Sequence, residues 1–408
     1  MSASPTTPTQ PRAAQAAESL RILDGDCWAF FAFDVGYGID LNAAENVLAA
    51  TSEMTEETRR KGIAHQRRAP HYLQFKPAPL KIDQPAAGPT TLDLAGFRAA
   101  PRVECTLYDF GAISVAYRIP LTNHADMPDG VTLGSLVDLS YALADQSVLL
   151  ADAQRCTRDL VRRLESAIER PMLIDIVEDY TVYHVRRWTP DRPTDRVVSD
   201  HSEPIARLLL AERGHLSPQT VESALSAQLS YSPADVAVID WNAALVLDEQ
   251  AEDALAVLEF ANVELLEMRF LDDRLDSILD RSYSSVLKRD EFGRLPRSKI
   301  APLFDPHRSE RRRVAALQME SAMLFEGINN ALKLVGDQHL ARLYALAARR
   351  LHLAEWDQSI LRKLHTADGL YQKLADEHAV RRMEVLEWII IILIAFEGIL
   401  PFIWHGAK

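Results

Sequence analysis

The residues of this chain that could do chemistry crowd into one stretch, Asn262-Val263-Glu264-Leu265-Leu266-Glu267-Met268-Arg269-Phe270-Leu271-Asp272-Asp273-Arg274-Leu275-Asp276. On a helix Arg269 reaches Asp272 or Asp273, and Asp276 lies one turn beyond. Such clustered carboxylates could hold a divalent ion or move protons. The same spacing also describes ordinary intrahelical pairs, each contributing about 0.3 kcal/mol on an exposed face. Asn262, Glu267, Arg269, Asp272 and Asp273 therefore form a candidate polar network. It is structural in the simpler reading and catalytic or metal-binding in the other. No residue is assigned as catalytic, no metal ligands are assigned, and no cofactor is expected.

Other arrangements fall short of a chemical motif. The chain lacks GxxxxGK[ST], HExxH, GxSxG, an EF-hand loop and a complete GxGxxG. Gly36-Tyr37-Gly38 follows an apolar strand pattern, but no third glycine stands at the required spacing. Asp109-Phe110-Gly111 matches a kinase tripeptide without the glycine-rich loop, the lysine-bearing strand or the HRD segment, and reads as a hairpin corner. His339, His352, His365 and His378 stand thirteen residues apart. That step turns a helix by about 220° and advances it roughly 19 Å, so no two could share an ion on one helix. Arg308, Arg311, Arg312 and Arg313 make a compact basic run. It is a candidate patch for lipid phosphate or ribosomal RNA, at about 1 kcal/mol per cation, or else a solvated helix start.

Bulk composition narrows the classes. With 408 residues and 48% apolar content, the chain can bury a large core or two domains and a stalk. A formal net charge of −13 argues against broad DNA binding, which needs a positive field. Cys27, Cys105 and Cys156 are odd in number and widely spaced, which fits buried thiols in a reducing compartment. Residues 1–19, rich in Ser, Thr, Pro, Ala and Gln, read as a disordered tail and not as a secretory signal.

Periodicity then places the elements. Cys27-Trp28-Ala29-Phe30-Phe31-Ala32-Phe33 reads as a buried strand, followed by a turn at Gly36 and Gly38 and a helix capped by Asn42 with Glu45. Residues 102–120 alternate around Asp109-Phe110-Gly111 as a hairpin, 133–168 reads as one or two amphipathic helices, and 172–188 returns to strand. A helical pair around 205–228 precedes strands at 235–241 and 243–247. From 251 to 287 there is neither Gly nor Pro, and helical spacing predicts one long helix. A second helical region, 310–379, is interrupted near Gly336 and Gly369. The fold class is thus α+β: an α+β sheet domain at 20–250, long antiparallel helices forming a stalk at 251–380, and a C-terminal hydrophobic helix at 381–408.

That last segment carries the apolar run 388–404 behind Arg381 and Arg382. It reads as a tail anchor, with Trp388 and Trp404 at the two interfaces and Glu397 near the middle. At about 1.5 Å per residue the run reaches roughly 25 Å, a little short of the roughly 30 Å hydrocarbon core. The expectation is a single C-terminal pass with the bulk of the chain at the cytoplasmic face of the inner membrane.

The string Ala261-Asn262-Val263-Glu264-Leu265-Leu266-Glu267-Met268-Arg269-Phe270-Leu271-Asp272-Asp273 resembles the YagE-like "required for meiotic nuclear division" family. So do Asn330-Ala331-Leu332-Lys333-Leu334-Val335-Gly336-Asp337, Leu340-Ala341-Arg342-Leu343-Tyr344 and Leu386-Glu387-Trp388-Ile389-Ile390-Ile391-Ile392-Leu393-Ile394-Ala395-Phe396-Glu397. The resemblance implies an α+β domain, following helices and a membrane segment, with no established catalytic residues. It also implies homo-oligomers that in mitochondria support translation by the organelle's ribosome, and in yeast a link to sporulation and nuclear division. The Ala- and Arg-heavy composition suggests a bacterial-type member. The expected function is a non-enzymatic, tail-anchored scaffold that homo-oligomerises and presents its α+β domain to a cytoplasmic protein, the ribosome being one such partner and the lipid bilayer another. The alternative is an enzyme or nucleotide-dependent regulator with an acidic site near Asp272 and Asp273.

Overall fold

The structure, a computed structural model, describes residues 20–51, 78–86, 93–122, 130–145, 147–291, 315–319, 321–322 and 338–405. The expected N-terminal tail and the run Arg308, Arg311, Arg312 and Arg313 lie outside the described residues. The chain divides into two compact units, Met1–Val263 with Val335–Leu351, and Glu264–Leu334 with His352–Lys408.

The first unit is organised around a sheet. Strand β1 (Arg21–Asp34) leads through β2 (Gly38–Ile39) into helix α1 (Leu41–Thr51). Then come β3 (Leu80–Pro85), β4 (Asp93–Leu94), β5 (Phe97–Arg98) and the hairpin β6 (Arg102–Leu107) and β7 (Ala112–Pro120). Strand β8 (Val131–Thr132), helices α2 (Leu133–Ala144) and α3 (Ser147–Arg163), β9 (Ile168–Glu169) and the long β10 (Val177–Thr189) follow. Three short helices, α4 (Thr194–Asp200), α5 (Ser202–Leu210) and α6 (Pro218–Ala224), lead to β11 (Gln228–Leu229), β12 (Val236–Ile239) and β13 (Ala243–Leu247). The strand order is β11-β12-β13-β10-β1-β7-β6-β3. Every neighbouring pair is antiparallel except β10 and β13, and the helices between those two supply the crossover that a parallel pair requires.

The sheet is buried on both faces. Cys27, Ala29, Phe31 and Phe33 of β1 join Val115, Tyr117 and Ile119 of β7 and the apolar sides of α2 and α3 in one core cluster. Tyr117 Oη donates to Asp152 of α3 at 2.7 Å, and Ser140 Oγ donates to the Leu208 carbonyl at 2.7 Å, which satisfies polar atoms inside that layer. On the opposite face, Lys81, Thr106, Ser114, Ala32 and Glu178 stand in one cross-strand row. The first part of α7 (Glu252–Glu291) engages this row: Asn262 Nδ2 donates to the Glu178 carbonyl at 3.3 Å, and Lys81 Nζ donates to Glu259 at 3.4 Å.

Helix α1 differs from expectation in its cap. The amides of Asn42 and Ala43 both donate to Asp40 Oδ1 at 3.0 Å, so Asp40 is the N-cap and Asn42 lies inside the helix. Helix α8 (Gln338–Arg350) belongs to the first unit, and α9 (Leu353–His405) to the second. The break between them is at His352, which adopts a left-handed φ of 56°. Gly369 makes no break, because a lone helical glycine costs only about 1 kcal/mol and α9 runs through it.

The expected tail anchor is the C-terminal part of α9, and among the described residues no helix is long and apolar enough to cross a membrane. The single C-terminal pass, and with it the expected place on the inner membrane, is therefore not borne out. The physical reason is visible in the run itself, which is short for a bilayer and carries Glu397 within it and Glu384 and Glu387 just before it.

Candidate functional site

One cleft forms where three backbone turns meet. Val35 N donates to the Gly111 carbonyl, Ile39 N to Asp109, Tyr37 N to Glu169 and Asp40 N to Ala167, at 2.9, 2.8, 2.9 and 2.9 Å. Gly111 makes this approach feasible. Its φ is +103°, and a Cβ there would lie 1.9 Å from the Gly36 carbonyl oxygen. Buried Asp34 accepts from the Gly36 amide at 3.0 Å and fixes the first turn, while Arg170 stacks over the Tyr37 ring at 4.9 Å. The resulting cleft of about 400 Å³ is lined by Gly38, Ile39, Asp40, Asp109, Ser166, Ala167, Ile168 and Glu169. Burial raises the Asp109 carboxyl above its ordinary value, although its own amide and that of Phe110 donate to it and pull the other way. The cleft is acidic and suits a cationic group, but Asp40 is already engaged in capping α1. Among the described residues no group of three or more His, Cys, Asp or Glu is arranged to hold a metal ion.

A second cleft of about 290 Å³ is lined by Leu210, Gln219, Thr220, Ser223, Ala224 and Arg350. Arg350, the last residue of α8, donates from Nε to Asp240 Oδ1 at 2.7 Å and again from Nη2 to the same oxygen. Asp240 is buried, its Oδ1 also accepts the Trp241 amide at 2.8 Å, and its carbonyl accepts Tyr180 Oη at 2.8 Å.

The residues expected to form a polar network extend along α7 over more than one site's length. Asn262 is buried, and its Oδ1 has no hydrogen-bond partner among the described residues. Glu267 is buried as well, whereas Arg269 and Asp273 are exposed. Asp272 accepts from Lys363 Nζ at 2.8 Å and from Ser359 Oγ at 3.3 Å, and the same Lys363 reaches Asp276 at 2.6 Å. From Asn262 to Asp273 the helix rises about 16 Å, too far for one site.

The seam beneath the start of α7 was missed from sequence. Lys81 bridges Glu104 at 2.7 Å and buried Glu259 at 3.4 Å. Burial alone would lower the Lys81 amine, but the two carboxylates more than offset it and hold it above the usual lysine range. Thr106 Oγ1, Ser114 Oγ and Glu259 Oε1 are buried there without a hydrogen-bond partner among the described residues. The available signal was the placing of Thr106 and Ser114 at sheet positions where apolar side chains are usual.

The former anchor residues stand in α9. Trp388 is 65% exposed and Ile394 64%, with Leu386, Ile389, Ile390, Ile391 and Leu393 also exposed. The side chains of Glu397 and Trp404 lie outside the described ones. At 100° per residue these apolar positions surround the helix instead of forming one stripe.

Fold and clefts together define an α+β protein with a mixed, doubly covered sheet and an apolar helix exposed in the single chain. Residues 24–254 match the family described as "Uncharacterized protein MJ0711, N-terminal domain", and the chain belongs to that family. It is similar to "Uncharacterized protein MJ0711" of Methanocaldococcus jannaschii, with 21% identity over 230 residues. That alignment covers 55% of this chain and 66% of the relative's length. No solved structure matches. The YagE-like resemblance is thereby overturned. Its strings fall at 261–397, whereas the family match lies at 24–254, in and around the sheet. Leu-, Glu- and Ile-rich helical strings recur in unrelated helices because burial and propensity both favour them.

Proposed function

We propose that this protein is a non-enzymatic scaffold that self-associates through the apolar segment 386–394 of α9 and presents its α+β unit to a protein partner. The exposure of Leu386, Trp388, Ile389, Ile390, Ile391, Leu393 and Ile394 on all sides of one helix carries this reading. Fully burying such a side chain contributes about 1.5 to 3 kcal/mol, so water is a poor environment for the segment. A groove on another protein would cover one side of the helix. A bundle of copies covers more of the helix than one groove does, and each copy brings the same surface. The closure of Asp272 and Asp276 around Lys363 supports the scaffold over an acidic catalytic site at that place.

Oxidative cross-linking tests the contact. The native thiols Cys27, Cys105 and Cys156 are buried. Leu393→Cys in the full chain is expected to give disulfide-linked dimers under mild oxidation, and Glu212→Cys, exposed in the sheet unit, is not. Equal linkage of the two variants, or none at Leu393→Cys, defeats the proposal.

A further inference from the structure

The cleft beside Arg350 gathers donors beyond those that the fold uses. A guanidinium carries five N–H donors in one plane. Two of those of Arg350 converge on Asp240 Oδ1, and among the described residues no acceptor takes the remaining three. To the same lining α6 contributes Gln219, Thr220 and Ser223, whose spacing of i, i+1 and i+4 sets them on one side of the helix. Thr220 Oγ1 is paired with Ser217 Oγ at 2.8 Å, but the Gln219 amide and the Ser223 hydroxyl have no hydrogen-bond partner among the described residues. Leu210 and Ala224 complete the lining with apolar surface.

We propose that this cleft binds a small molecule through a phosphate group. A carboxylate is planar and can be satisfied by one guanidinium fork, whereas a phosphate has three free oxygens pointing in different directions. Donors contributed by two different helices, Arg350 from α8 and Gln219 with Ser223 from α6, suit the tetrahedral group. Asp240 balances the charge of Arg350 and fixes its plane, so recognition rests on directed hydrogen bonds more than on net charge. Leu210 gives an organic remainder something to pack on, which favours a phosphate monoester over the free ion.

Calorimetric titration of the full-length protein with glycerol 1-phosphate, inorganic phosphate and acetate, at one ionic strength, tests this. Both phosphates are expected to bind saturably, the monoester more tightly, and acetate not at all. Tighter binding of inorganic phosphate would keep the site but overturn the monoester. Gln219→Ala with Ser223→Ala, two exposed positions, should weaken phosphate binding about tenfold through two lost donors. Arg350→Lys, which keeps the charge and loses the fork, should weaken it at least as much. Absence of saturable binding, equal binding of acetate, or an unchanged affinity in the Gln219 and Ser223 double variant overturns the proposal.

Discussion

Lys363 donates to both Asp272 and Asp276, at 2.8 and 2.6 Å, so the most acidic stretch of the sequence is closed by a cation from a later helix. Clustered carboxylates that looked available for catalysis are thereby half of an ion network within the second unit. Ser359 Oγ adds a donor to Asp272 at 3.3 Å.

Lys363→Ala should therefore lower stability by about 1 to 2 kcal/mol, since Asp272 is largely shielded and loses its counter-charge. Asp273→Ala, at an exposed position, should change it by less than about 0.5 kcal/mol. Chemical denaturation of the two variants checks the contrast.

The same network fixes a pH dependence. Burial alone would lower the Lys363 amine, but hydrogen bonds to Asp272 and Asp276 outweigh it and raise its pKa. A raised folded-state pKa means the stabilisation is complete below the unfolded lysine value of about 10.4 and disappears as pH rises through the folded one. The stability difference between wild type and Lys363→Ala should be level through neutral pH and shrink only in strong alkali. A difference that shrinks around pH 7 would point to another group.

Asp26 anchors a second ion network, in the first unit. It is buried in β1 and accepts from Arg118 at 2.8 Å and Arg186 at 2.7 Å, while Arg186 also binds Asp24 at 2.8 Å. Asp26→Ala should cost about 1 to 2 kcal/mol, because Arg118 is half exposed and Arg186 keeps Asp24. The Asp24 carboxyl is held below its ordinary value, first by the hydrogen bond from Arg186. Its contribution is present above the unfolded aspartate value of about 3.9 and is lost as pH falls through the folded one, so Asp24→Asn should flatten the acid limb of a stability profile.

Gly111→Ala should be the most damaging small substitution in the sheet unit, costing upwards of about 3 kcal/mol. Its Cβ would lie 1.9 Å from the Gly36 carbonyl oxygen, and the backbone there is left-handed. Alanine at Gly96, where nothing lies within 4 Å, meets backbone strain without a clash and should cost less. Thermal melts of the two variants separate steric from conformational cost.

Much of the fold was legible because it is written in short-range patterns. The alternation of Val103, Cys105 and Leu107 with Val115, Tyr117 and Ile119 predicts the hairpin that forms, and the stretch without glycine or proline becomes α7. The cap of α1 was misplaced by two residues because Asp40 and Asn42 have the same capping chemistry, and only backbone geometry chooses between them. What decides the candidate sites was not legible. Lys81 and Glu259 are 178 positions apart, and Asp240 and Arg350 are 110, and no local spacing announces such pairs. The tail misled for a different reason. Apolar residues on all sides of a helix signal that the helix must be covered, without saying by what.

Self-association through that helix is the central claim, and the mass of the full chain in solution tests it most directly. Sedimentation equilibrium over about a hundredfold range of concentration should give at least twice the chain mass of 45.7 kDa, dissociating on dilution as mass action requires. The pair Ile390→Asp and Ile394→Asp, both at exposed positions, should shift the protein toward monomer without altering the melting of the sheet unit. A mass of 45.7 kDa across the whole range would contradict the account.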